Sequence, residues 1–131
     1  MIKVLAIDDD DTLLFIMKRF LNKTGRVSEI RTASNGQEGL KVLEDDSWVP
    51  DLIFLDINMP VMNGWDFLEI FSEMRPGNFS GSIVMLSSST MDVEVEDAKK
   101  NVRVHSYMSK PAEYFKLLAL VEEIDASVNG S

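Results

Sequence analysis

Asp51-Leu52-Ile53-Phe54-Leu55-Asp56-Ile57-Asn58-Met59-Pro60-Val61-Met62-Asn63-Gly64 holds the decisive pattern of the chain. Leu52 to Leu55 is a continuous apolar run of strand length, the kind buried on both faces of a parallel sheet, and so belongs at the sheet's centre. It ends on a carboxylate, Asp56. Trp65 to Met74 then has helical period, with Pro76-Gly77 as its stop. The unit is strand, polar strand end, helix.

The same unit recurs outward in both directions. Upstream, Val4 to Ile7 reads as a buried strand, and Leu13, Ile16, Met17, Phe20 and Leu21 recur at helical spacing up to Gly25. Val27 to Ala33 reads as a strand of mixed character, Asn35-Gly36 as a turn, and Gln37 to Glu44 as a helix with Leu40 and Leu43 inward. Downstream, Ile83 to Leu86 and Val102 to Met108 are strands, Val93 to Lys100 is a weak and highly charged helix candidate, and Ala112 to Ala126 is a final helix. Strands alternating with helices specify an α/β fold whose parallel sheet carries helices on both faces. Five such units fill the length. Residues 1–127 are expected to form one domain and Val128 to Ser131 a loose tail.

Bulk composition narrows the function. At 131 residues, with 45% hydrophobic and 27% charged residues, the chain is one ordinary globular domain that needs no staples. A net charge of −9 leaves no basic face to neutralise several phosphates, so nucleic acid is excluded as an expected partner. There is no cysteine, which removes thiolate chemistry, and no apolar run approaches a membrane span. A cytoplasmic location, away from membranes, is expected.

Ligands of open parallel sheets bind beyond the carboxyl ends of the strands, where strand order reverses. Asp8-Asp9-Asp10-Asp11 follows the first strand, Asp56 the third, Ser87-Ser88-Ser89-Thr90 the fourth and Ser109-Lys110-Pro111 the fifth. Nothing comparable follows the second. Carboxylates, hydroxyls and an ammonium would thus meet at one sheet edge. Hard oxygens suit Mg²⁺, a strand-end Asp can act as nucleophile, and lysine and serine can hold phosphate oxygens. Taken singly, each feature has a plainer explanation: an acidic run caps a helix, a serine run makes a turn, and Lys-Pro punctuates a surface. Their joint placement on four strand ends favours the site.

These residues, and above all Asp56-x-x-Met59-Pro60-x-Met62-x-Gly64, resemble the receiver domains of two-component response regulators (the CheY-like family) along essentially the whole chain. The resemblance implies a flavodoxin-like, doubly wound sheet of five parallel strands in the order 2-1-3-4-5 with about five helices. It implies Asp56 as phosphoacceptor, Asp8, Asp9, Asp56 and the backbone carbonyl of Asn58 around Mg²⁺ or Mn²⁺, and Lys110 as the phosphate-binding lysine. Ser87 falls at the family's switch hydroxyl and Tyr107 at its switch aromatic, and the Lys110-Pro111 peptide would be cis. Asp10 and Asp11 are read as the start of the first helix, and the lone His105 as solvent-facing. The implied partners are a histidine kinase or phosphotransfer protein and an unknown downstream protein, with the chain a stand-alone monomer or a weak phosphorylation-dependent dimer. One enzyme competes, since Asp8-x-Asp10-x-Thr12 fits the nucleophile motif of haloacid-dehalogenase phosphatases; that family's later acidic pair is missing after Lys110, and Asp56 would be left without a role.

Overall fold

The computed structural model describes residues 1–45, 47–74, 79–87, 104–110 and 113–130. In chain order they form β1 (Ile2–Ile7), α1 (Asp11–Lys23), β2 (Val27–Ala33), α2 (Gly36–Leu43), β3 (Leu52–Asp56), α3 (Gly64–Met74), β4 (Ser82–Ser87), β5 (Val104–Ser109) and α4 (Tyr114–Asn129). The strands make one parallel sheet in the order β2-β1-β3-β4-β5, as the resemblance implies. The charged helix candidate at 93–100, the stop at Pro76-Gly77, Ser88 to Thr90, and the Lys110-Pro111 peptide lie outside the described residues.

Alternation along each strand sends successive side chains to opposite faces, and the sheet therefore separates two cores. Val4, Ala6, Leu52, Phe54, Val84 and Leu86 point to the face covered by α1 and α4, against Met17, Leu21, Leu117 and Val121. Leu5, Ile7, Ile53, Leu55, Ile83 and Met85 point to the face covered by α2 and α3, against Leu43, Phe67 and Phe71. Every residue of β3 is buried, which is why its sequence is unbroken apolar up to Asp56. Truncating Phe54 to Ala would cost about 3–5 kcal/mol at such a site.

Helix ends obey local chemistry. Asp10 caps α1 by accepting from the Leu13 N–H at 3.1 Å, and Gly25, at φ +73°, takes the left-handed turn after it. Asn35 caps α2 through the Glu38 N–H at 2.8 Å, while the Glu38 carboxylate returns to the Ser34 N–H at 2.8 Å. The last helix corrects the expected tail: α4 runs through Asn129, past residue 127. Asn129 Nδ2 reaches back to Asp125, and Gly130 at φ +67° supplies the left-handed cap, so the helix has both a reason to continue and a place to stop.

Candidate functional site

Strand order reverses between β1 and β3, since the chain leaves β1 toward β2 on one side and returns to β3 on the other. The carboxyl ends of these two strands bound the crevice where ligands of this architecture sit. Asp8 follows β1, its N–H still in the ladder to Ala33 O at 3.1 Å, and Asp56 closes β3. Both are buried, at 0% and 1% exposure, whereas Asp9 is exposed at the mouth. Carboxylate oxygens of Asp8, Asp9 and Asp56 lie within 4.8 Å of one another.

Lys110 enters from the far side of the sheet. Its N–H donates to Ser87 O at 2.7 Å just beyond the β4–β5 ladder, which fixes its backbone. Its Nζ stands 2.8 Å from Asp8 Oδ2 and 3.2 Å from Asp56 Oδ1. Asp8 Oδ1 accepts from the Asp10 N–H at 2.8 Å, and Asp56 Oδ1 from the Asn58 N–H at 3.2 Å. Among the described residues Asp8 Oδ2 has no aligned hydrogen bond, and the Lys110 ammonium compensates it.

One ammonium cannot satisfy this much negative charge. Burial, then the neighbouring Asp8 charge, push the Asp56 carboxyl up to about 7, against the opposing pull of Lys110 and the Asn58 N–H. Burial depresses Lys110, but its close contact with Asp8 and the charges of Asp56 and Asp8 prevail and hold it above its ordinary value. Three hard-oxygen donors, one buried without an aligned hydrogen bond and one disfavoured as an anion, fit a small divalent cation.

Around this cluster the backbone is tightly drawn. A Cβ on Gly64 would lie 2.8 Å from Asp56 O and 3.0 Å from Ile57 Cα, so only glycine lets α3 begin against the end of β3. The Gly64 N–H donates to Ile57 O at 2.9 Å across that contact. Val61, 96% exposed at the loop tip, sits at φ +69°, a strained conformation for a β-branched residue.

Asp8, Asp9, Asp56 and Lys110 are therefore brought together. Asn58 lies two residues after Asp56 in the loop that leaves β3, and Ser87 is buried at the end of β4 beside β3. Tyr107 lies on β5 in register with Met85 and faces outward, 38% exposed. Asp10 and Asp11 start α1, with the Asp10 carboxylate accepting from the Leu13 N–H as its cap. His105 is exposed, with Nε2 3.4 Å from Glu123 Oε1. The β2 exit, where sequence suggests no chemistry, does contribute: Ser34, Asn35, Gly36 and Gln37 face Asp9 and Met62 across a cavity of about 240 Å³. Asn35-Gly36 was legible as a turn, but its position beside Asp9 was not.

The model for the response regulator receiver domain matches residues 4–122. The nitrate/nitrite response regulator protein NarL of Escherichia coli K12 is 35% identical over 94% of this chain, which spans 54% of that protein. Among solved structures, a two-component response regulator from Cytophaga hutchinsonii superposes with a TM-score of 0.81 at 30% identity, covering 93% of this chain and 95% of that one. The chemotaxis protein CheY4 of Vibrio cholerae gives 0.80 at 29% identity, covering 95% and 98%. A strand order, a buried strand-end carboxylate with its lysine, and a family match over nearly the whole chain coincide, and the chain belongs to the CheY-like receiver domains of two-component response regulators.

Proposed function

We propose that Asp56 accepts a phosphoryl group from a histidine kinase or phosphotransfer protein, with Mg²⁺ or Mn²⁺ held by Asp8, Asp9, Asp56 and the carbonyl of Asn58. The observation that carries this is the buried Asp56 carboxylate, in contact with Lys110 and clustered with Asp8 and Asp9 at the sheet's switch point. The cation, when bound, offsets charge on the carboxylates and on the transferring group. Asp56 attacks as the carboxylate; the donor's P–N bond breaks as a P–O bond to Asp56 forms. Lys110, already within reach of Asp56, turns to the arriving phosphoryl oxygens.

Acquiring about 1.5 to 2 negative charges changes what Ser87 and Lys110 face. Ser87 donates to the new phosphoryl group from the end of β4, and its movement gives outward-facing Tyr107 room to turn in, altering the surface around β5 and α4. The output is protein binding in the cytoplasm, by a monomer or a weak phosphorylation-dependent dimer. The domain is a switch and turns over no separate substrate beyond its own phosphorylation and slow dephosphorylation. No described helix is long and apolar enough to cross a membrane.

Acetyl phosphate with Mg²⁺, followed by intact mass, tests the assignment: the wild type gains one phosphoryl group and Asp56→Asn gains none. Equal gain in both refutes it. Amide exchange over 104–110 with and without beryllofluoride tests the switch, and a change of equal size in Ser87→Ala would rule out the coupling from Ser87 to Tyr107.

A further inference from the structure

The sheet order leaves β2 at an edge, with β1 on one side and, among the described residues, no strand on the other. The strand runs Val27–Ala33 without a proline, and Ser28, Glu29 and Thr32 are exposed. Such an edge offers its N–H and C=O groups to another strand unless something blunts it. The Asp8 N–H donates to Ala33 O at 3.1 Å, so Ala33 faces β1. Alternation turns Arg31 and Glu29 the same way and leaves the main-chain groups of Thr32, Ile30 and Ser28 on the open side. Among the described residues no turn or loop bond takes up the N–H of Ile30 or Thr32.

Side chains give this edge a preferred mate. Glu29 and Arg31 are the charged residues of the strand, on one sheet face, with Arg31 Nε 2.9 Å from Glu29 Oε2. Arg31 is braced over the Trp48 ring at 4.4 Å and lies 3.8 Å from Asp45. Place a second β2 antiparallel, with the twofold axis at Ile30, and Glu29 of each copy stands opposite Arg31 of the other. Ile30 then meets Ile30, and Ser28 meets Thr32, as hydrogen-bonded pairs; Glu29 and Arg31 fall at the closer, non-hydrogen-bonded positions. In-register parallel pairing would set Glu29 on Glu29 and Arg31 on Arg31. Antiparallel registers centred one residue to either side would oppose two Glu29 or two Arg31, and directly opposed like charges are destabilising.

We propose that β2 pairs with β2 of a second copy, antiparallel about Ile30, joining two sheets into one across a twofold axis. The contact is isologous, so it closes at a dimer. About six main-chain hydrogen bonds and two charge pairs hold it, by the ladder pattern of antiparallel strands. The net charge of −9 on each chain opposes association. Physiological ionic strength screens that repulsion beyond about 8 Å, while Glu29 and Arg31 in contact keep most of their attraction. The pairing needs no phosphoryl group, and so stands apart from the reading of Asp56.

Analytical ultracentrifugation of the whole chain, without phosphodonor and up to about 1 mM, is the test. Wild type should form a dimer as concentration rises. Glu29→Arg and Arg31→Glu should each weaken it at least about tenfold, because both charge pairs become like-charged. Mixed together, these two variants should associate with each other, since each then opposes the other's sign. Thr32→Pro removes a donor on the open side, where an edge strand tolerates proline, and should also lose the dimer. If Thr32→Pro or Arg31→Glu does not fold, Glu29→Arg, exposed and clear of Trp48, decides alone. Amide exchange should slow with concentration at Ile30 and Thr32 and stay unchanged at Arg31, whose N–H faces β1. A chain monomeric to about 1 mM, a dimer indifferent to Glu29→Arg, or protection gained away from β2 overturns the proposal. So does a dimer that forms only with beryllofluoride.

Discussion

Replacing Asp56 by Asn should stabilise the metal-free protein, although it removes the residue proposed to do the chemistry. In the folded chain burial and Asp8 hold this carboxyl at about 7, against 3.8 ordinarily. The folded state thus keeps a proton over a pH window in which the unfolded state has released it. Stability from this group is complete below about pH 4 and is lost as pH rises through about 7. Held from 3.8 to about 7, the group accounts for up to about 4 kcal/mol at ~1.4 kcal/mol per pH unit. Asp8 and Lys110 share the coupling, which reduces the part that Asn recovers to about 1–3 kcal/mol. Asn also leaves Lys110 its 2.8 Å contact with Asp8, so no buried charge is stranded. Thermal melts in EDTA should put Asp56→Asn above wild type by about 5–10 °C at pH 8, with the gap closing toward pH 4. Millimolar Mg²⁺ should narrow the gap at pH 8 by stabilising wild type more than the variant. A variant no more stable than wild type at pH 8, or a gap unchanged between pH 8 and pH 4, would refute the reasoning.

The neighbouring residues give further expectations. Lys110→Ala should lower stability at pH 8 by about 2–4 kcal/mol, since Asp8 and Asp56 lose the ammonium that contacts them both, and Mg²⁺ should restore part of it in chemical melts. Gly64→Ala should cost about 1–3 kcal/mol because its Cβ has no room against Asp56 O; a neutral result in a urea titration would show that α3 can withdraw. Asp9→Ala should weaken Mg²⁺ binding at least about tenfold, read from Trp65 fluorescence, because Trp65 follows Gly64 at the start of α3 beside the site. Trp48, buried under Arg31 at 4.4 Å, should report little of that titration.

What was legible in the sequence was whatever a local rule decides. Leu52 to Leu55 could only be a central strand, and rules about strand ends brought Asp8, Asp56 and Lys110 to one edge without knowledge of any distance. Boundaries slipped where side chains intervene: β1 begins at Ile2 and includes Lys3, whose N–H is held by the Asp51 carboxylate at 2.9 Å from 48 residues away. The extension of α4 to Asn129 depended on the bond from Asn129 to Asp125, although Gly130 was a visible stop signal. For two features of the site the residues were visible in the sequence but the reason for them was not. The wall from Ser34 to Gln37 depends on how α2 is seated beside β1, and the need for glycine at 64 depends on an approach between two backbones.

The sheet that separates the two cores also sets how this chain can change. Ile53 and Phe54 are adjacent in sequence but their side chains belong to different cores, one on the face of α2 and α3 and the other on the face of α1 and α4. Losses at such a pair should add, while losses at Phe54 and Leu117, distant in sequence but in one core, should not. Each face can therefore be rebuilt by successive substitutions without waiting for the other to adjust. The carboxyl end of the sheet is where that independence stops, since Asp8, Asp56 and Lys110 reach it from three strands and answer to both halves at once.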